Sequence, residues 1–190
     1  MNACTSRHLT TRSRPDAPTS RAPLIADVRP RNFKESDLMT TEHKPDEISE
    51  FFNSYANPAN LLDAGALAEH YALPCFIASD RGRVDTFPIA TRQELVELLA
   101  KILGMYKAIG VASASVTSLV STQLSPLLSV NQVDWELRDL AGTKLYSFRA
   151  IYTIAKTEGT LKVCANVACE IPYYLECVAR LKAARRLSEA

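Results

Sequence analysis

The chain has no membrane-length apolar run, no paired-cysteine motif and almost no net charge, and each absence removes a class of function. Residues 95–103, a long apolar candidate, are interrupted by Glu97 and Lys101, well short of the roughly 20 apolar residues of a membrane span. No membrane partner is expected. The five cysteines, Cys4, Cys75, Cys164, Cys169 and Cys177, are odd in number and include no CxxC pair. That argues against a disulfide framework or a zinc site. Buried free thiols in a reducing cytoplasm are the simplest reading. A formal net charge of +1 creates no global field for nucleic acid. Histidine is scarce too. His8 and His43 lie in the N-terminal stretch, which leaves His70 as the one His of the expected domain. No metal or cofactor is expected, and no motif names a reaction.

What is present sorts into three stretches. Residues 1–44 hold Arg7, Arg12, Arg14, Arg21, Arg29 and Arg31 among many Ser and Thr, with few acids before Asp27. The composition resembles a transit peptide. It is equally that of a disordered extension, or of a sequence upstream of a true start at Met39. It lacks the apolar core of a secretory signal. Residues 45–171 carry the periodic patterns of a folded domain. Residues 172–190 read as a basic helical tail with little to pack.

Within the middle stretch, Pro45-Asp46-Glu47 suits a helix start. Ile48, Phe51, Phe52 and Tyr55 then recur at helical spacing, up to Asn57-Pro58. Asp63 caps a second short helix carrying Leu67, His70 and Tyr71, expected to stop at Pro74. Cys75-Phe76-Ile77-Ala78 has strand character, and residues 84–87 return as a small strand after an Asp80-Arg81-Gly82-Arg83 turn. Thr91 with Glu94 forms a capping box. Leu95, Leu98, Leu99, Ile102, Leu103 and Tyr106 follow as an apolar face, and Gly110 stands where a left-handed C-terminal residue belongs.

From Val111 the period falls to two. Residues 127–170 read as three strands joined by the turns Asp139-Leu140-Ala141-Gly142-Thr143 and Lys156-Thr157-Glu158-Gly159-Thr160. Each Gly fits a type I turn closed by a glycine bulge. Alternation puts Val133, Trp135 and Leu137 on a covered face and Gln132, Asp134 and Glu136 on a polar one. The strand of residues 145–155 is apolar on much of both faces. Its second face needs a cover, and a homodimer through the sheet is expected.

This order of helices, long helix and closing meander, with Val133-Asp134-Trp135-Glu136-Leu137-Arg138-Asp139 and Tyr146-Ser147-Phe148-Arg149-Ala150-Ile151-Tyr152 inside it, resembles the nuclear transport factor 2-like superfamily. That superfamily includes SnoaL-like and ketosteroid isomerase-like proteins. The resemblance implies an α+β fold in which a strongly bent, mixed or antiparallel sheet wraps the N-terminal helices as a cone, a cystatin-like α+β barrel. It also implies an apolar pocket at the open end. Such folds include isomerases, cyclases, hydrolases and proteins with no chemistry, so fold alone does not settle function. Two positions depart from the pattern. The general-base carboxylate after the second helix is replaced by Pro74-Cys75-Phe76-Ile77-Ala78-Ser79, and the last strand ends Asn166-Val167-Ala168-Cys169-Glu170 without a His.

Asp80 and His70 are the remaining candidates for proton transfer. Solvent-facing charge and a partly packed imidazole are the plainer readings. Tyr55, Tyr71, Phe76 and Trp135 are expected to line a pocket for a small apolar ligand. Arg149 either binds an anionic ligand group or pairs with Glu136 across the sheet. Cys75 and Cys164 read as core. Three functions follow: a SnoaL-like binding protein with an apolar pocket and without strong acid–base catalysis, a SnoaL-like enzyme acting on a cyclic hydrophobic substrate, or a dimeric accessory or scaffolding subunit.

Overall fold

The computed structural model describes residues 45–57 and 59–188. The reading of residues 1–44 lies outside them. Helix α1 (Pro45–Tyr55) and the short α2 (Ala64–Ala68) precede strands β1 (Tyr71–Asp80) and β2 (Val84–Ile89). Helix α3 (Arg92–Ile109) follows, then β3 (Ser113–Ser125), β4 (Leu128–Arg138), β5 (Lys144–Thr157) and β6 (Thr160–Ala168), and finally α4 (Ile171–Ser188). The fold is α+β. Six strands form one sheet in the order β2-β1-β6-β5-β4-β3. Neighbours are antiparallel except β1 and β6, which run parallel.

The sheet is curved, and its ladder shows where. Register shifts fall between Tyr71 and Phe76, Val116 and Ser118, Leu137 and Arg138, and Thr153 and Ile154. Each such irregularity kinks a strand and increases its twist. The concave face gathers the core. Ile48, Phe51 and Phe52 of α1 and Leu95, Leu99 and Leu103 of α3 meet Val133, Trp135 and Leu137 of β4 and Ala150, Tyr152 and Ile154 of β5.

Local chemistry sets the long helix as expected. The Thr91 side chain accepts from the Glu94 amide while the Glu94 carboxylate accepts from the Thr91 amide, and Gly110 closes the helix at φ +78°. Asp63 caps α2 by accepting from the Gly65 and Ala66 amides.

Four readings change. The second helix stops at Ala68, and Tyr71 opens β1. Pro74 lies within that strand, in the stretch between Tyr71 and Phe76 where the ladder shifts register, a tolerated place for a residue with no N–H to give. The Asp139–Gly142 turn is the expected type: Gly142 has φ +79° and its amide donates to Asp139 O at 3.0 Å. The second turn differs. Thr157 pairs with Thr160, and Glu158 and Gly159 both have positive φ, +52° and +78°, which is a two-residue type I′ hairpin. Helix α4 is no loose tail, for Cys177 is buried and Tyr174 and Leu181 pack against the core from the same helix face.

The capping box gives a direct test. Thr91→Ala should lower stability by about 1 kcal/mol, read as a shifted midpoint in urea denaturation with an unchanged slope. No shift would mean that α3 is held by packing alone.

Candidate functional site

Inside the curve lies a cavity of about 100 Å³. Its polar and aromatic wall includes Tyr55, Tyr71, Trp135, Tyr152, Asn166, Glu170 and, from the turn between β1 and β2, Arg81, and much of the remainder is aliphatic, including Leu98, Leu99 and Ile102 of α3. The sheet explains the assembly. Trp135 pairs with Phe148 across β4 and β5, Tyr152 with Asn166 across β5 and β6, and Ile77 with Asn166 across β1 and β6. Residues paired across a sheet point to the same face, so these registers aim the group inward together. Tyr55 enters from α1, with its ring centroid 5.9 Å from that of Trp135 and 5.8 Å from that of Tyr152.

The polar atoms form two groups. In the first, Asn166 Nδ2 donates to the Tyr71 hydroxyl at 3.4 Å, the Tyr71 and Tyr55 hydroxyls are 2.8 Å apart, and Trp135 Nε1 donates to the Tyr152 hydroxyl at 3.1 Å. Burial pushes the Tyr55, Tyr71 and Tyr152 phenols up, so they stay protonated donors. Asn166 Oδ1 is buried and accepts from no described residue, an arrangement costing about 1–3 kcal/mol when left unmet. In the second group, the Tyr146 hydroxyl donates to Glu170 Oε1 at 2.6 Å, and the Tyr106 hydroxyl is within hydrogen-bonding reach of the same carboxyl. Glu170 is 6% exposed. Desolvation raises its pKa, and the two tyrosine hydrogen bonds offset only part of that.

The residues proposed from sequence divide. Tyr55, Tyr71 and Trp135 line the cavity. Phe76 does not: it is 42% exposed, because Cys75 and Ile77 on either side of it in β1 take the inward positions. Asp80 is exposed and accepts from the Gly82 amide at 2.9 Å, a turn-closing role. His70 sits beside Phe51 and Tyr55, off the cavity wall, with Nε2 3.2 Å from Ser54 Oγ. Burial lowers its pKa. Arg149 is on the outer face, and its partner is Asp134, not Glu136. The two are directly paired across β4 and β5, and the guanidinium donates to both Asp134 oxygens at 2.6 and 2.9 Å. Glu136 instead binds Arg138 and Lys144 at 2.6 and 3.1 Å.

Sequence reasoning passed over Glu170 and Asn166 as site residues. Asn166, Ala168 and Glu170 share one period-two phase, and all three border the cavity. That phase was the available signal, together with three tyrosines, Tyr106, Tyr146 and Tyr152, read only as apolar positions. Among the described residues no cluster of His, Cys, Asp and Glu is arranged to hold a metal ion, and no helix is long and apolar enough to cross a membrane.

A family model described as NTF2-like protein (DUF6841) matches residues 46–171. The chain belongs to that family. Solved structures of similar fold include Aln2 from a Streptomyces species, at 12% identity and a TM-score of 0.52, with 67% of this chain and 92% of that one covered. An NTF2-like protein with a cystatin-like fold from Novosphingobium aromaticivorans aligns at 16% identity and a TM-score of 0.51, over 65% and 79% of the two chains. A protein of unknown function from Mycobacterium tuberculosis aligns at 16% identity and a TM-score of 0.50, over 74% and 87%. At such identities the likeness concerns the fold. A comparison with curated proteins found no match.

The buried carboxyl makes a pH prediction for this NTF2-like domain. A carboxyl whose pKa is higher folded than unfolded weakens folding as pH climbs from the unfolded value, about 4.3, through the folded one. Glu170→Gln removes that dependence. In urea denaturation from pH 4 to pH 8, the wild type should lose stability relative to the variant as pH rises. Parallel stability curves would show that Glu170 is not perturbed.

Proposed function

We propose that this NTF2-like domain is a small-molecule-binding protein of the SnoaL-like type, acting in the cytoplasm. The observation that carries the reading is the cavity itself: a largely apolar space of about 100 Å³ with a few convergent polar groups, the usual make-up of a small-molecule site. The four described cysteines are free, which supports a reducing compartment. The test uses Trp135, the single Trp of the chain. Titration with toluene or phenol should shift its emission saturably, and Ala168→Leu, which fills one wall, should abolish the shift. An emission unchanged by both compounds would overturn the reading.

One observation favours a second reading, an enzyme of proton transfer. Glu170 is a buried carboxyl in the cavity with a raised pKa, as a general acid or base requires. As a base, its carboxylate takes a proton from carbon beside a ligand carbonyl, and the C–H electron pair moves to the carbonyl oxygen as an enolate. Deuterium loss from α-deuterated cyclopentanone, faster with the wild type than with Glu170→Gln and rising with pH as Glu170 ionises, would support it. Equal rates would reject it.

We also propose a homodimer through the outer sheet face. Ile151 and Val167 are directly paired on that face, Val167 is 42% exposed, and Phe76 is exposed on neighbouring β1. Such apolar exposure fits a two-fold interface. Light scattering should give twice the chain mass, and Val167→Lys should return it to one. A monomer throughout a concentration series of the wild type would refute the dimer.

A further inference from the structure

Among the described residues, Arg81 is the one cation that lines the cavity. The strand before it explains its place. Ile77 and Ser79 line the cavity, and Arg81 is the next residue on the same period-two phase, one step beyond the end of β1. Ile77 pairs with Asn166 and Ser79 with Ala168 along the parallel ladder, so Arg81 follows at the end of the cavity where Glu170 also stands. About 13 Å of strand separates this end from the Ile77–Asn166 layer, at roughly 3.3 Å per residue. The turn fixes the backbone of Arg81: its amide donates to Arg83 O at 3.0 Å, and Asp80 Oδ1 accepts from the Gly82 amide at 2.9 Å. Its guanidinium is held much less. Asp85 Oδ1 lies 3.0 Å from Arg83 Nε, whereas Asp85 Oδ2 is 3.9 Å from Arg81 Nε. A long ion pair facing water contributes little. Glu170 gives no ion pair to Arg81 among the described residues, and its Oε1 accepts from the Tyr146 hydroxyl.

We infer that the cavity binds a small amphipathic acid, with its carboxylate on the Arg81 guanidinium and its apolar body inward among Phe87, Leu98, Ile102 and Trp135. The inference deepens the small-molecule reading above and rests on it. The planar guanidinium keeps its charge at any working pH, and its N–H fork matches the two oxygens of a carboxylate. The Arg81 side chain is 50% exposed, so a carboxylate bound there keeps water on one side and avoids the large cost of burying an ion. The same carboxylate at the Asn166 end would meet no cation, which fixes the direction of binding. Glu170 is a weak opponent, because burial disfavours its charged form. A phosphate dianion is a poorer match: one guanidinium would face two charges, with Asp85 beside it. The volume of about 100 Å³ restricts the apolar body to a single small ring or a short chain.

Benzoate and benzamide test this, since they have nearly the same shape and differ in charge. Isothermal titration calorimetry of the full chain at pH 7 should show benzoate binding about tenfold more tightly than benzamide, whereas a merely apolar cavity prefers the neutral compound. Arg81→Gln should erase the benzoate preference while keeping benzamide binding. Asp85→Asn, which removes the acid beside Arg81, should tighten benzoate and leave benzamide unchanged. Equal affinities, or tighter benzamide binding, in the wild type would overturn the carboxylate assignment and leave the small-molecule reading standing. A benzoate preference that survives Arg81→Gln would also overturn it. Binding of none of benzoate, benzamide and toluene removes both. The wild-type comparison needs no variant, so the test holds even if Arg81→Gln fails to fold.

Discussion

The contact on which the rest of the interior depends is Phe52 against the sheet. Its fully buried ring lies edge-on to Tyr152 and to Trp135, with centroids 5.1 and 6.1 Å away. Edge-to-face pairs of this kind add to the burial of the rings themselves. They pin α1 over the middle of the concave face at a fixed height and rotation. Tyr55 follows one helical turn later and is therefore delivered over the same two rings, with its hydroxyl turned to Tyr71. The cavity exists because α1 and α3 are both held on this curved surface and their side chains do not fill the space between.

Much of this frame was legible in the chain. Thr91, Glu94 and Gly110 mark α3 by chemistry that acts within a few residues, and such signals survive any tertiary context. The alternation of β4 is equally local, and it placed Trp135 inward and Asp134 outward. What failed was decided by register and by bends. Tyr71 looked helical because Leu67, His70 and Tyr71 keep helical spacing, yet the parallel ladder with β6 claims it as a strand residue. Phe76 looked like a wall residue until the strand's phase, fixed by Cys75 and Ile77, turned it out. Arg149 faces two acids two residues apart on β4, and only the register chooses Asp134 over Glu136.

Glu170 shows a different limit. Nothing about an isolated Glu beyond a strand end predicts burial, since charged residues are mostly exposed. Its environment is assembled from Tyr106 on α3 and Tyr146 on β5, 64 and 24 positions away in the chain. The same holds for Asn166, whose neighbours Tyr71 and Tyr152 come from β1 and β5. Polar sites inside a curved sheet are products of long-range pairing, and a single sequence carries them only as a phase.

The two polar groups are also placed differently, which bears on what the cavity does. Glu170 lies at the junction of β6 and α4, where the tyrosine hydroxyl that donates to it favours the charged carboxylate and burial favours the neutral acid. Asn166 lies four residues earlier on the same phase, with its carbonyl oxygen unmet. A protein selected for stability alone would gain by replacing an unmet buried amide with an aliphatic side chain, because the desolvation penalty disappears and the packing is kept. Leu or Val there would extend the wall that Leu98, Leu99 and Ile102 already form. Retaining a buried amide whose polar atoms are not all met costs stability and fits a site whose partner arrives from solution. The fold supplies the space, and these few polar atoms limit what can occupy it.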